Sequence, residues 1–99
     1  MRYDWDMKTH SDADKELERI LKALANRRRL LILRYLKTGR ESSVGDIANH
    51  INLSFKATSK HLTVLLAAHL VDRDQTGTKM FYRIANNMAK FSQQILSLI

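Results

Sequence analysis

The sequence contains no cysteine and no proline, and only three glycines in 99 residues. Without cysteine there is no disulfide, no thiolate metal site and no thiol nucleophile. That fits a reducing cytoplasm, where the protein is expected to reside. The lack of proline and the few glycines argue against a turn-rich all-β fold and for helices. No apolar run is long enough to span a bilayer, and no signal-peptide pattern is present, so no membrane partner is expected. Carboxylates are also scarce beyond the first eighteen residues, where only Glu41, Asp46, Asp72 and Asp74 occur.

What is present is positive charge, unevenly placed. The formal net charge is +7. Residues 1–18 carry a net −3, which leaves +10 on residues 19–99. A compact basic body suits a polyanion such as nucleic acid, although a basic solvated surface also serves solubility. The length fits one domain. Residues 1–10 read as an N-terminal tail and residues 11–99 as a single folded domain. Tyr3, Trp5 and Met7 are apolar at alternate tail positions, and they are expected to dock on the body or on a second subunit.

Periodicity divides the domain into elements. Ser11 and Asp12 offer cap oxygens for a first helix over residues 12–25, carrying Leu17, Ile20, Leu21 and Leu24 at helical spacing. Asn26 caps a second helix that ends at Gly39. Residues 41–43 suggest a minimal strand. Ser43 caps a third helix, Val44 to His50, and Asn52 suits a tight turn. Ser54 caps a fourth helix to about Ala68, with Thr58, Leu62, Leu65 and Leu66 inward. The period then changes to two, and Val71–Gln75 and Thr78–Ile84 flank Gly77 as a β-hairpin. Asn86 or Asn87 caps a last helix with Met88, Phe91, Ile95, Leu98 and Ile99. The expected fold is mainly α with a small β-hairpin, a winged helix-turn-helix of order α-α-(β)-α-α-β-β-α.

This order points to DNA. The second helix of a helix-turn-helix enters the major groove. With the apolar stripe inward, Phe55, Lys56, Ser59, Lys60 and Thr63 face outward behind Ser54, and His61 sits beside them. Lysines and hydroxyls of this kind bond to base edges and phosphates, and a helix N-terminus favours a phosphate. Phe55 either touches thymine methyls or folds back on the third helix. The hairpin adds Arg73, Thr76, Thr78 and Lys79 for backbone or minor-groove contact. Arg27, Arg28 and Arg29 open the second helix against its dipole, which suggests a phosphate contact and a partly structural Arg29. The apolar faces of the first and last helices carry Leu17, Ile20, Leu21, Leu24, Met88, Phe91, Ile95 and Leu98.

The stretch Leu21–Ile84, about two thirds of the chain, resembles the ArsR-type winged-helix regulators of prokaryotes. The similarity rests on Lys22-Ala23-Leu24-Ala25-Asn26, Arg29-Leu30 and Ile32-Leu33, then on Val44-Gly45-Asp46-Ile47-Ala48 and Leu53-Ser54. It continues through Ser59-Lys60-His61-Leu62, Val64-Leu65, Leu70-Val71, Gly77 and Phe81-Tyr82-Arg83-Ile84. The resemblance implies a homodimer formed by the first and last helices, with those eight apolar residues as its candidate dimer interface, repressing from an operator. It also implies a recognition surface at Lys56, Ser59, Lys60 and His61. MarR-like regulators share part of the pattern but are usually longer.

The departures bear on sensing. Arg27 stands where the family often has proline, and His69 where it often has glycine. Ser43 and Gly45 match positions where metal sensors of the family often carry cysteine, and residues 86–99 hold no Asp or His. No metal site and no cofactor are therefore expected. Asp46 and His50 are four apart on one helix, a spacing that also serves an ordinary hydrogen bond. No nucleophile elbow, phosphate loop or metal-hydrolase spacing occurs, so no enzyme is expected. The alternative function is a winged helix that binds an acidic protein. RNA binding lacks an aromatic stacking platform.

Overall fold

The structure, a computed structural model, describes the backbone of residues 4–99 and the side chains of residues 12–99. The docking expected of Tyr3, Trp5 and Met7 lies outside the described residues. The elements are α1 (Asp4–Leu24), α2 (Arg27–Leu36), β1 (Ser42–Ser43), α3 (Val44–Ile51), α4 (Phe55–Ala67), β2 (Val71–Thr76), β3 (Lys79–Ile84) and α5 (Lys90–Ser97). The three strands form one antiparallel sheet of order β1-β3-β2. This is the winged helix-turn-helix order that the sequence predicts.

Local hydrogen bonding accounts for most boundaries. A helix leaves its first N–H groups without partners, and a short polar side chain just ahead of it can accept from them. Asn26 Oδ1 accepts from Arg28 N at 3.0 Å and Arg29 N at 3.1 Å. Ser43 Oγ accepts from Asp46 N, and Ser54 Oγ from Ala57 N at 3.1 Å. α3 stops because Asn52 turns left-handed, at φ 56°, and Leu53 N–H closes back on Ala48 O at 3.0 Å. His69, at φ 60°, ends α4 in the same way, with Leu70 N–H on Leu65 O at 3.0 Å. In the hairpin, Gly77 takes the first of two loop positions at φ 64°, where a type II′ turn requires glycine.

Three boundaries differ from the sequence reading, and the first is the end of α2, at Leu36 with Lys37 as its C-cap rather than at Gly39. α1 begins at Asp4 and not at residue 12, so Ser11 and Asp12 lie inside the helix rather than at its cap. No glycine or proline interrupts residues 4–24, so nothing stops the helix from running through. The last helix begins at Lys90, behind Ala89, and neither Asn86 nor Asn87 caps it. The Asn86 N–H is instead taken by Asp72 Oδ2 at 3.2 Å, which holds this stretch against the base of the hairpin.

The core joins every helix to the sheet. Ile20, Ala23 and Leu24 of α1 meet Ile32, Leu33 and Leu36 of α2, Ile47 of α3, Leu62 and Leu65 of α4, and Leu96 of α5. Leu70, Val71 and Tyr82 close it from the sheet side. Burying each large aliphatic side chain stabilises the fold by about 2 kcal/mol. The inward stripe of α4 fixes which of its faces looks outward. Among the described residues, no helix is long and apolar enough to cross a membrane.

Candidate nucleic-acid interface

α3, a three-residue turn and α4 make the helix-turn-helix, and the β2–β3 hairpin follows α4 as the wing. Thr58, Leu62 and Leu65 are buried on the inner side of α4. Phe55, Lys56, Lys60 and Thr63 are exposed on the other side, and Ser59 is half-buried. The helix has no acidic residue. Ser54 Oγ caps α4 by accepting from Ala57 N, and the residue stays exposed at the helix start with its hydroxyl proton free to donate. Thr63 Oγ1 donates to Ser59 O at 3.0 Å, which leaves its lone pairs free to accept.

Phe55 stays 62% exposed. It does not join the core. It lines a groove of about 440 Å³ with Val44 and Asp46 of α3 and Thr78, Lys79 and Met80 of the wing. An apolar edge therefore sits between the reading helix and the wing, where a thymine methyl would find contact.

The wing is braced at its base. Arg83 of β3 pairs with Asp74 of β2, and with Glu41 at 3.2 Å just ahead of β1. These partners hold the Arg83 guanidinium above its ordinary pKa, the Asp74 hydrogen bond contributing most. With Asp74 engaged there, Thr76, Thr78 and Lys79 project from an exposed tip, and Arg73 is exposed lower on β2, opposite Tyr82. Gln75 Nε2 donates to Gly77 O at 3.2 Å across that tip.

The basic surface extends to α2. Arg27 and Arg28 are exposed at its start, and no acid offsets them in the first turn. Arg29 turns inward. Its Nε donates to Ala23 O at 2.6 Å and its Nη2 to Lys22 O at 2.8 Å, so one guanidinium satisfies the last carbonyls of α1. Burial lowers its pKa. Arg29 Nη1 also lies 3.3 Å from His61 Nδ1. Burial, and then the charges of Arg29 and Arg28, push the pKa of His61 down. A guanidinium can only donate, so His61 Nδ1 is the acceptor in this contact, half-buried behind the cationic face. Arg29 and His61 are 32 positions apart, a separation that left no local signal of the pair.

The candidate interface residues divide in two. Leu17, Leu21 and Leu98 are 41%, 47% and 79% exposed. Ile20 and Leu24 are buried in the core of their own chain, and Met88, Phe91 and Ile95 are half-buried against it. The free apolar surface is therefore narrower than the eight residues expected. His50 stacks on Tyr35, with ring centroids 4.1 Å apart. Among the described residues, no three His, Asp or Glu side chains converge as metal ligands.

An exposed cationic reading helix, its three-residue turn and a braced basic hairpin define a winged helix-turn-helix regulator. A profile of the bacterial regulatory protein arsR family matches residues 26–73. The transcriptional activator HlyU of Vibrio cholerae is 36% identical over 77 residues, 78% of this chain and 70% of that protein. The arsenical resistance operon repressor of Staphylococcus xylosus is 33% identical over 85 residues, 86% of this chain and 81% of that one. The solution structure of a homodimeric winged helix-turn-helix domain, Mb0332 of Mycobacterium bovis, superposes with a TM-score of 0.78 at 31% identity, over 99% of this chain and 85% of that one. NolR of Sinorhizobium fredii gives 0.77 at 32% identity, over 99% and 92%. The chain belongs to the arsR family of bacterial regulatory proteins, which regulate transcription and are not enzymes.

Proposed function

We propose that this regulator acts as a homodimeric repressor on a pseudo-palindromic operator. Each protomer sets α4 in a major groove and lays its wing along the adjacent backbone. Two copies of α4 then reach half-sites about one helical turn, roughly 34 Å, apart. Lys56 and Lys60 bond to guanine edges or phosphates, Ser59 and Thr63 to base edges, and Phe55 to a thymine methyl. Arg28, Arg73 and Lys79 hold flanking phosphates, and Thr76 and Thr78 bond to the backbone from the wing tip. Leu17, Leu21 and Leu98 meet their copies in the second protomer. The observation that carries this reading is the outward face of α4. It bears two lysines and no acid, and its other side is locked into the core.

The test is a gel-shift titration of the purified chain against its own upstream DNA and a scrambled duplex, at two salt concentrations. Tighter binding to the upstream DNA in a dimer-sized step supports the reading. Equal, salt-sensitive binding to both duplexes removes the specific operator there. No binding to either at low salt overturns the DNA reading and favours an acidic protein partner.

A further inference from the structure

A second concavity lies between α2 and the end of α3. It encloses about 410 Å³, within the range of small-molecule sites. Leu31 and Ile51 give it apolar walls, and Arg34, Arg40, Tyr35 and His50 give it charge and π surface. Tyr35 and His50 are stacked, with their ring planes 28° apart. Ser42 Oγ donates to the Tyr35 hydroxyl at 3.2 Å and steadies that ring from β1. The Arg40 guanidinium stands over the Tyr35 ring, 5.2 Å from its centroid.

Arg40 has no carboxylate partner among the described residues. Glu41, beside Arg40 in sequence, is turned to Arg83. Arg34 Nε is already engaged, donating to the main-chain oxygen of Ile99 at 3.2 Å. No Asp or Glu lines the cleft. The uncompensated Arg40 cation, beside an aromatic stack and aliphatic walls, therefore suits an anion with a flat apolar body. A guanidinium fork matches a carboxylate, and an aromatic ring lies well against Tyr35, His50 and the Arg40 plane.

The geometry points to this cleft as a binding site for a small aromatic carboxylic acid that acts as an effector. Its wall includes His50, Ile51 and Asn52. Asn52 is the left-handed residue that sets the angle between α3 and α4. An occupant pressing on this wall acts on the turn that aims the reading helix. Binding stands on the cleft alone, whereas the effector role rests on the operator reading above.

The probe is benzoate, titrated into the ¹⁵N-labelled full chain and followed by amide shifts. Acetate serves as the ringless control and benzyl alcohol as the uncharged one. Saturable shifts at Tyr35, Arg40, His50 and Asn52 with benzoate alone are expected. Arg40→Gln, at an exposed position, lowers that affinity about tenfold, the worth of one charge-assisted hydrogen bond. His50→Ala weakens it through loss of the stack. Shifts centred on Lys56 and Lys60, an equal response to acetate, no saturable shift, or parent-like affinity in Arg40→Gln each overturn the site. In the gel shift, benzoate changes operator affinity for the parent and not for Arg40→Gln. If benzoate fills the cleft and operator affinity stays constant, the effector role is overturned. If Arg40→Gln without benzoate weakens duplex binding as much as Lys60→Ala, the cleft holds backbone phosphate instead. A chain that binds no DNA refutes the operator reading, and the amide shifts still judge the cleft.

Discussion

Arg29 links three helices through one side chain, and its contact with His61, at 3.3 Å, ties the end of α1 to the reading helix. The guanidinium closes the carbonyls of Lys22 and Ala23 and meets the one imidazole on α4. Replacing Arg29 by Ala strands those carbonyls and unties α4. A loss of about 2 kcal/mol in urea unfolding is expected, with Arg29→Lys recovering only part of it because an ammonium has no fork. A variant as stable as the parent would leave the tie without energetic weight.

His61 makes stability depend on pH. Its folded pKa lies below the ordinary value of about 6.5. In that window the unfolded chain binds more protons than the folded one, so stability falls as the pH falls. The contribution is complete above about 6.5 and is lost on acidification through the lower folded value. His61→Gln keeps an acceptor and cannot titrate. Urea midpoints at pH 8, 6 and 5 therefore fall more steeply for the parent than for the variant.

Salt and charge test the reading face together. If Lys56, Lys60, Arg28 and Lys79 each hold a phosphate, the dimer makes about eight such contacts, and affinity drops by about 10³ to 10⁵ between 50 and 200 mM salt. Lys60→Ala removes two of them per dimer. It lowers the slope of log K against log salt by about 2. An unchanged slope in both Lys60→Ala and Lys56→Ala would move the contact surface off α4.

The left-handed backbone of His69, at φ 60°, strains a side chain that has a Cβ. His69 is exposed, so His69→Gly removes little else. A gain of about 1 kcal/mol is expected, seen as a rise in melting temperature of roughly 5 °C. Asn52, at φ 56°, tolerates this conformation better, and Asn52→Gly is expected to gain less.

Dimerisation is tested at positions that one chain leaves exposed. Leu17→Ala with Leu21→Ala raises the dimer dissociation constant at least about tenfold in sedimentation, while the monomer stays folded. Truncating Phe91 or Ile95 is a weaker test, because both also pack against the chain's own core.

The caps were legible because they are local. Asn26, Ser43 and Ser54 each satisfy N–H groups two or three residues away, and a sequence displays that spacing directly. Lys56 and Lys60 were legible because the apolar stripe of α4 leaves them one side only. The start of α1 was hidden because Ser11 and Asp12 look like caps whether or not a helix begins there. The start of α5 was hidden because its competitor for Asn86 is Asp72, fourteen residues earlier. Arg29 and His61 meet only after α2 and α4 have packed. On α1 the apolar band reads as one face, yet Ile20 and Leu24 are buried while Leu17 and Leu21 are not.

That division of α1 has an evolutionary side. Ile20, Ala23 and Leu24 are constrained by folding, whereas Leu17 and Leu21, one step around the same rod, are not. A duplicated gene can therefore drift at the outer pair without unfolding its product. If the outer pair forms the proposed dimer contact, sister regulators in one cell can acquire separate pairing preferences by few substitutions, while the inner residues keep each of them intact.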